Sequence, residues 1–197
     1  MRKTSCVLFL LVSFFVVSSQ FSSAAFFRDS QWSVFVYGGQ WSSTRIAEIF
    51  TGQIDLESSA VAVVGVGRHL KDLAPGLSLE GESNLALHAG KQSHPELNAA
   101  LGLRYSAFPW DRWLHTSILY GLGFSYAFSE PNIEIKSDQD PSQLLVFMPV
   151  ELAFAPPSRF PFPWEGFLRI HHRSGAYGVI SDARGSNFIT VGIRHRF

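Results

Sequence analysis

Residues 77–90 read "LSLEGESNLALHAG", and alternate positions fall into two sets. Leu77, Leu79, Leu85 and Leu87 make the apolar set, and Ser78, Glu80, Glu82, Asn84 and His88 the polar one. A period of two puts these sets on opposite faces of an extended strand. The pattern recurs along the chain. In 97–108, Leu97, Leu101, Leu103 and Tyr105 oppose Asn98, Gly102, Arg104 and Ser106. In 113–128, Leu114, Ile118, Tyr120, Leu122, Phe124 and Tyr126 oppose His115, Ser117, Gly121, Gly123 and Ser125. In 144–155, alternate apolar residues from Leu144 to Phe154 oppose a face carrying Glu151. With 31–41, 58–70, 165–174 and 187–197 the chain offers eight strand candidates. The first two are apolar on both faces, so their facing stays open.

The N-terminal segment reads differently. Arg2 and Lys3 precede an apolar run from Cys6 to Val17, and small residues follow up to Ala25. That is the three-part pattern of a secretory signal, too short for a spanning helix. The expected organisation is a signal peptide over 1–25 and one domain over 26–197. The exported part then contains no cysteine, because the only one is Cys6. Disulfides are excluded despite a route that permits them. The balance of 16 Lys+Arg against 16 Asp+Glu turns slightly acidic once Arg2 and Lys3 are removed. A nucleic acid partner, which calls for a basic face, is not indicated.

After the signal no apolar run reaches about 18 residues, yet the chain is 14% aromatic and only 16% charged. An exported, apolar chain without a spanning helix points to a closed barrel, the other structure that satisfies its backbone in lipid. A soluble sandwich would also alternate, but its polar faces would be rich in lysine. Here they hold small residues with a few acids and arginines, which suits a narrow lumen. Glu80, Glu82 and Glu151 are expected to pair there with Arg104, Arg169 and Arg194. The expected fold is all-β, an eight-stranded antiparallel transmembrane β-barrel. "KDLAPG" (71–76), "PWDR" (109–112) and "PPSRFPFPW" (156–164) read as turns at one end. Links such as 42–57, 129–143 and 175–186 are polar and longer, and fall outside the cell. Trp32, Trp41, Trp110, Trp113 and Trp164 lie at strand ends, as interfacial girdles require. Phe197, in phase with Ile189, Val191 and Ile193, resembles the signal that outer-membrane barrels present to their assembly machinery. The implied location is the outer membrane of a Gram-negative-type cell.

Parity then separates the adjacent histidines of 165–174. Leu168 and Ile170 are in phase with His172 and Ser174, which face lipid; Arg169, His171 and Arg173 face the lumen. In 187–197 the lipid phase runs back to Asn187. His172, Ser174 and Asn187 therefore project outward near one end of one hairpin. Polar groups there need partners or a purpose. The plain explanation is a hairpin end at head-group level. The chemical one is a base, a nucleophile and an orienting amide.

"HRS" at 172–174, "GSN" at 185–187 and the closing "GIRHRF" resemble the last hairpin of PagL-type outer-membrane lipid A deacylases. The resemblance covers about thirty residues in detail and is architectural before them. It implies an eight-stranded barrel with its catalytic groups on the outer surface. His172 would be the base, Ser174 the nucleophile and Asn187 the residue that orients His172. In that family the serine is commonly followed by Asn-Ala-Gly, and the Asn helps form the oxyanion hole. Here Gly175, Ala176 and Tyr177 follow. The acidic member is replaced by Asn187, with Asp182 as a loop substitute.

The expected activity is serine-dependent removal of a fatty acyl chain from lipid A or a related lipid of the outer leaflet. The alternative is a non-catalytic small barrel with a structural or adhesion role carried by its loops. A pore is disfavoured, because eight strands leave a lumen filled by side chains. Arg173 and Arg184 are either phosphate-attracting or ordinary interfacial arginines. His88 and His115 read as packed interior residues without the clustered partners of a metal site, and no cofactor is expected. "GVGRHL" (65–70) lies within a strand and is no phosphate loop.

Overall fold

The computed structural model describes residues 31–134, 142–157, 160, 162–175 and 185–197. Eight antiparallel strands close into one barrel. They are β1 (Trp32–Ser42), β2 (Leu56–Ala74), β3 (Leu77–Gly90), β4 (Pro95–Tyr105), β5 (His115–Ala127), β6 (Leu144–Ala155), β7 (Trp164–Ser174) and β8 (Ser186–Arg196). Each pairs with its sequence neighbour, and β1 pairs with β8 from Ser33↔Arg196 to Ser42↔Asn187. Beyond that ladder the N–H of Trp32 donates to the carbonyl of Phe197 at 3.1 Å, and the reverse bond is 2.9 Å. Closure leaves no edge strand exposed. The signal segment, Asp182 and Arg184 lie outside the described residues.

The outer surface is apolar. Leu87, Leu101, Leu122, Phe124, Leu168 and Val191 are among its exposed large side chains. At about 25 cal/mol per Å² such a surface is unfavourable in water and suited to hydrocarbon. Among the described residues no helix is long and apolar enough to cross a membrane. Crossing falls to the strands, and the fold is a transmembrane β-barrel.

The inner face is a charged ladder. Arg169 donates to both carboxylate oxygens of Glu82 at 2.8 Å and also bonds Glu151. Arg104 joins Glu80 at 2.9 Å and Glu151 at 2.9 Å. Arg194 joins Glu151 at 2.7 Å and Glu165 at 3.0 Å, and Arg196 also reaches Glu165. The three expected acid–arginine pairs are therefore present. Four carboxylates and four guanidiniums offset one another, which lets them be buried. Phe35, Tyr37 and Phe167 pack their rings 5.1–5.4 Å from the Arg169 guanidinium. The lumen is thus filled in the manner of a small barrel.

Three sequence expectations change. The facing of β1 is now fixed: Ser33, Phe35 and Tyr37 are buried, while Val36 is exposed. Both its faces are apolar because its inner side chains stack on arginine rather than pair with it. Trp41 shares the phase of Phe35 and Tyr37 and packs against the inner cluster, so it is no part of an outer girdle. Finally, 71–76 is mostly strand. β2 runs to Ala74 with register shifts near His69/Lys71 and Asp72/Ala74. The reversal itself needs only Pro75 and Gly76, the latter at φ 73°, where glycine carries no steric cost.

Candidate functional site

The register of β7 on β8 sets the site. His172 pairs with Asn187, and the next step pairs Arg173 with Ser186. Alternation sends the first pair outward and the second inward. His171, Arg173 and Ser186 are buried in the lumen. His172 is half-buried on the outer face. The parity assignment of the two histidines holds.

Outside, His172 Nδ1 and Asn187 Oδ1 lie 2.5 Å apart. Asn187 Nδ2 donates to the main-chain carbonyl of Thr44 at 2.8 Å. A carbonyl accepts only, so it fixes which end of the amide faces it. Oδ1 is left facing the imidazole, and the Nδ1 of a neutral His172 must carry the hydrogen. Nε2 is then the proton acceptor. Thr44 is held in turn. Its N–H donates to Ser42 Oγ at 3.3 Å, and its Oγ1 accepts from the Asp55 N–H at 2.9 Å. The β1–β2 link, which includes a one-turn helix Ile46–Ile49, thus covers Asn187 and leaves it only 8% exposed.

Ser174 is two residues beyond His172 on the same face, half-buried, opposite Val146 on β6. Two strand residues span roughly 7 Å, a separation that neighbouring side chains can bridge. Gly175, which follows, is buried. Across the hairpin, Gly185 has φ 45°. A Cβ there would stand 2.3 Å from the Arg173 carbonyl oxygen. Glycine at this point lets the chain enter β8 with Asn187 opposite His172.

Behind the site a second anchor crosses the lumen. Arg173 Nη1 donates to both oxygens of Glu134 at 2.9 Å, Nε donates to Ser125 Oγ at 2.8 Å, and Nη2 to the Gln143 carbonyl at 3.1 Å. Ser186 Oγ donates to Glu134 Oε1 at 2.5 Å. Glu134, from the short turn Asn132–Glu134, therefore holds both inner residues that lie next to the outer pair. Arg173 is fully buried and committed to these partners, so it is not a surface phosphate binder. Thr44 and Glu134 escaped sequence reasoning. One acts through its backbone, and the other is one acid among several in its loop.

Below the site lies an apolar groove of about 610 Å³. Small residues Gly38, Ser58 and Ala60 form its floor, and Leu168, Ile189 and Val191 line it. Ile189 is two residues from Asn187, so the groove begins immediately beneath the polar pair.

Elsewhere His88 is a packed interior residue as expected, but it has the clustered partners that the sequence did not show. His94 and Glu96 lie beside it. Burial pushes the imidazole of His94, in the β3–β4 link, down to about 4. His115 Nδ1 bonds Asp111 at 2.5 Å near the opposite, short-turn end.

No protein-family model matches the chain, and no curated protein sequence does. Among solved structures it is similar to one described as the crystal structure of the outer membrane enzyme PagL. The TM-score is 0.62 at 12% sequence identity, covering 84% of this chain and 99% of that one. The likeness is one of fold.

Proposed function

We propose that the protein is an outer-membrane serine esterase that removes a fatty acyl chain from lipid A or a related outer-leaflet lipid, after export directed by residues 1–25. The observation that carries this reading is the chain Thr44 carbonyl, Asn187 amide, His172 imidazole. It fixes one tautomer of a histidine on the lipid-facing surface, beside a serine on the same face. A purely structural barrel has no use for an oriented base there.

His172 Nε2 takes the proton of Ser174 as Oγ attacks the ester carbonyl. The tetrahedral oxyanion takes a hydrogen bond from the main-chain N–H of Gly175. Collapse expels the alcohol, which receives the proton back from His172. Water, activated by the same imidazole, then releases the fatty acid. The groove under His172 and Asn187 supports this substrate class. An acyl chain would lie along Ile189, Val191 and Leu168 while its ester stays at the interface.

The test is incubation of the folded protein with lipopolysaccharide or a phospholipid ester, followed by mass spectrometry of the lipids. The expected result is loss of one acyl chain with the wild type and none with Ser174→Ala. Equal release by both would remove Ser174 from the reaction. No release by a folded wild type would favour the structural or adhesion barrel.

A further inference from the structure

His88, His94 and Glu96 meet at the lumen end of the β3–β4 hairpin, on the inner side of the barrel wall. The N–H of His88 donates to the carbonyl of His94 at 3.0 Å, which makes them cross-strand neighbours. Glu96 follows His94 by two and shares its face. One ring nitrogen from each imidazole and one carboxylate oxygen lie within 4.8 Å of one another. All three residues are at least nine-tenths buried.

Two neighbouring atoms have no partner. His94 Nε2 and Gln92 Oε1 are buried without a hydrogen bond among the described residues. Buried polar atoms are rarely left so, and each calls for a reason. We propose that His88, His94 and Glu96 form a binding site for one zinc-class divalent cation, supported by Gln92 and His171.

The chemistry gives both atoms a role. Gln92 Nε2 now lies 3.0 Å from His88 Nδ1, and His88 Nε2 lies 2.9 Å from Glu96 Oε2. On ligation His88 Nε2 gives up its hydrogen, and Nδ1 carries it instead. The Gln92 amide then turns so that Oε1 accepts from Nδ1. His94 Nε2 becomes a ligand. A ligating histidine that hands its other N–H to a fixed acceptor is the usual outer-shell arrangement.

Glu96 is braced similarly. His171 Nε2 lies 2.9 Å from its Oε1, and Tyr37 Oη lies 2.8 Å from His171 Nδ1. Arg173 comes within 3.4 Å of Glu96, but its charge is matched by two 2.9 Å bonds to Glu134. Two imidazoles and one carboxylate suit zinc or cobalt better than magnesium or calcium, which favour all-oxygen sets. Tetrahedral zinc sets its ligand atoms roughly 3.4 Å apart, so the 2.9 Å His88–Glu96 contact must open and the wider separations close, shifts on the order of an ångström. Three protein ligands leave a fourth position open. The site faces the lumen while His172 faces lipid, so the ion ties β3 to β4 and its link, with His171 of β7 bracing Glu96, rather than entering the esterase chemistry.

The experiment uses untagged, chelator-stripped protein folded in detergent micelles. Zinc chloride is titrated by calorimetry and cobalt chloride by visible absorption. Heat-modifiable gel migration verifies folding in every sample. The expected result is one equivalent bound, with the intense absorption of tetrahedral cobalt. His94→Ala should weaken binding at least roughly 100-fold, and His69→Gln, at the other end of the barrel, should leave it unchanged. A folded wild type that binds neither ion overturns the site. So does a folded His94→Ala that binds as tightly as wild type.

Discussion

His172 and Asn187 stand opposite each other on the β7–β8 ladder, with Nδ1 and Oδ1 2.5 Å apart. Their hold on each other is set from the β1–β2 link, because Asn187 also donates to the Thr44 carbonyl. Asn187→Ala removes the acceptor and frees the imidazole to take the wrong tautomer. Ester hydrolysis should fall roughly 10²-fold with the barrel intact. Asn187→Asp keeps an acceptor for Nδ1 and adds a charge that stabilises imidazolium, but it sets a carboxylate oxygen against the Thr44 carbonyl, so its turnover should fall between Asn187→Ala and wild type. Steady-state rates on one ester substrate distinguish these outcomes.

Glu134 tests the support behind that pair. Glu134→Ala leaves Arg173 buried without its main anion. Breaking a buried pair costs about 3–5 kcal/mol, offset here in part by the Ser125 and Gln143 contacts. Urea unfolding in micelles should show the loss. Turnover should fall as well, since Ser186 is released beside Asn187. Glu134→Gln, which can still accept from Ser186, should fall between the two.

The lumen ladder converges on Glu151, which accepts from Arg104, Arg169 and Arg194. Glu151→Ala would leave three guanidiniums facing one another. We expect it to fail to give the heat-modifiable folded band. Glu80→Gln, whose partner Arg104 keeps Glu151, should fold with a loss of only about 1–3 kcal/mol.

These elements differ in how far the sequence revealed them. The pairing of Glu80, Glu82 and Glu151 with arginines was legible because strands alternate strictly and a narrow lumen needs matched charge. The outward set His172, Ser174 and Asn187 followed from the same parity. β1 was not legible, because Phe35 and Tyr37 face inward against arginine and look no different from lipid-facing residues. Trp41 misled for the same reason. Thr44 left no trace, since its contribution is a carbonyl. His94 and Glu96 became partners of His88 only when the β3–β4 register brought them alongside.

Gly185 has φ 45°, and a Cβ there would approach the Arg173 carbonyl to 2.3 Å. Gly185→Ala should cost more than about 1 kcal/mol. It should also shift the entry to β8. Turnover should then drop more than stability alone explains, because Asn187 lies two residues on. Comparing unfolding midpoints with rates at a temperature where the variant is fully folded separates the two effects.

The groove makes the sharpest demand on the substrate. Ala60 is exposed on its floor, across the barrel surface from Ile189. Ala60→Trp adds bulk where an acyl chain would lie and touches neither His172 nor Ser174. It should lower hydrolysis of long-chain esters at least roughly tenfold. A short-chain ester, too short to reach past Ile189, should be cleaved as by wild type. Each buried methylene is worth about 0.8 kcal/mol, so losing two or three from the groove accounts for that difference. Equal losses on both substrates would mean that the tryptophan had disturbed the strand. No loss on either would place the acyl chain elsewhere on the barrel.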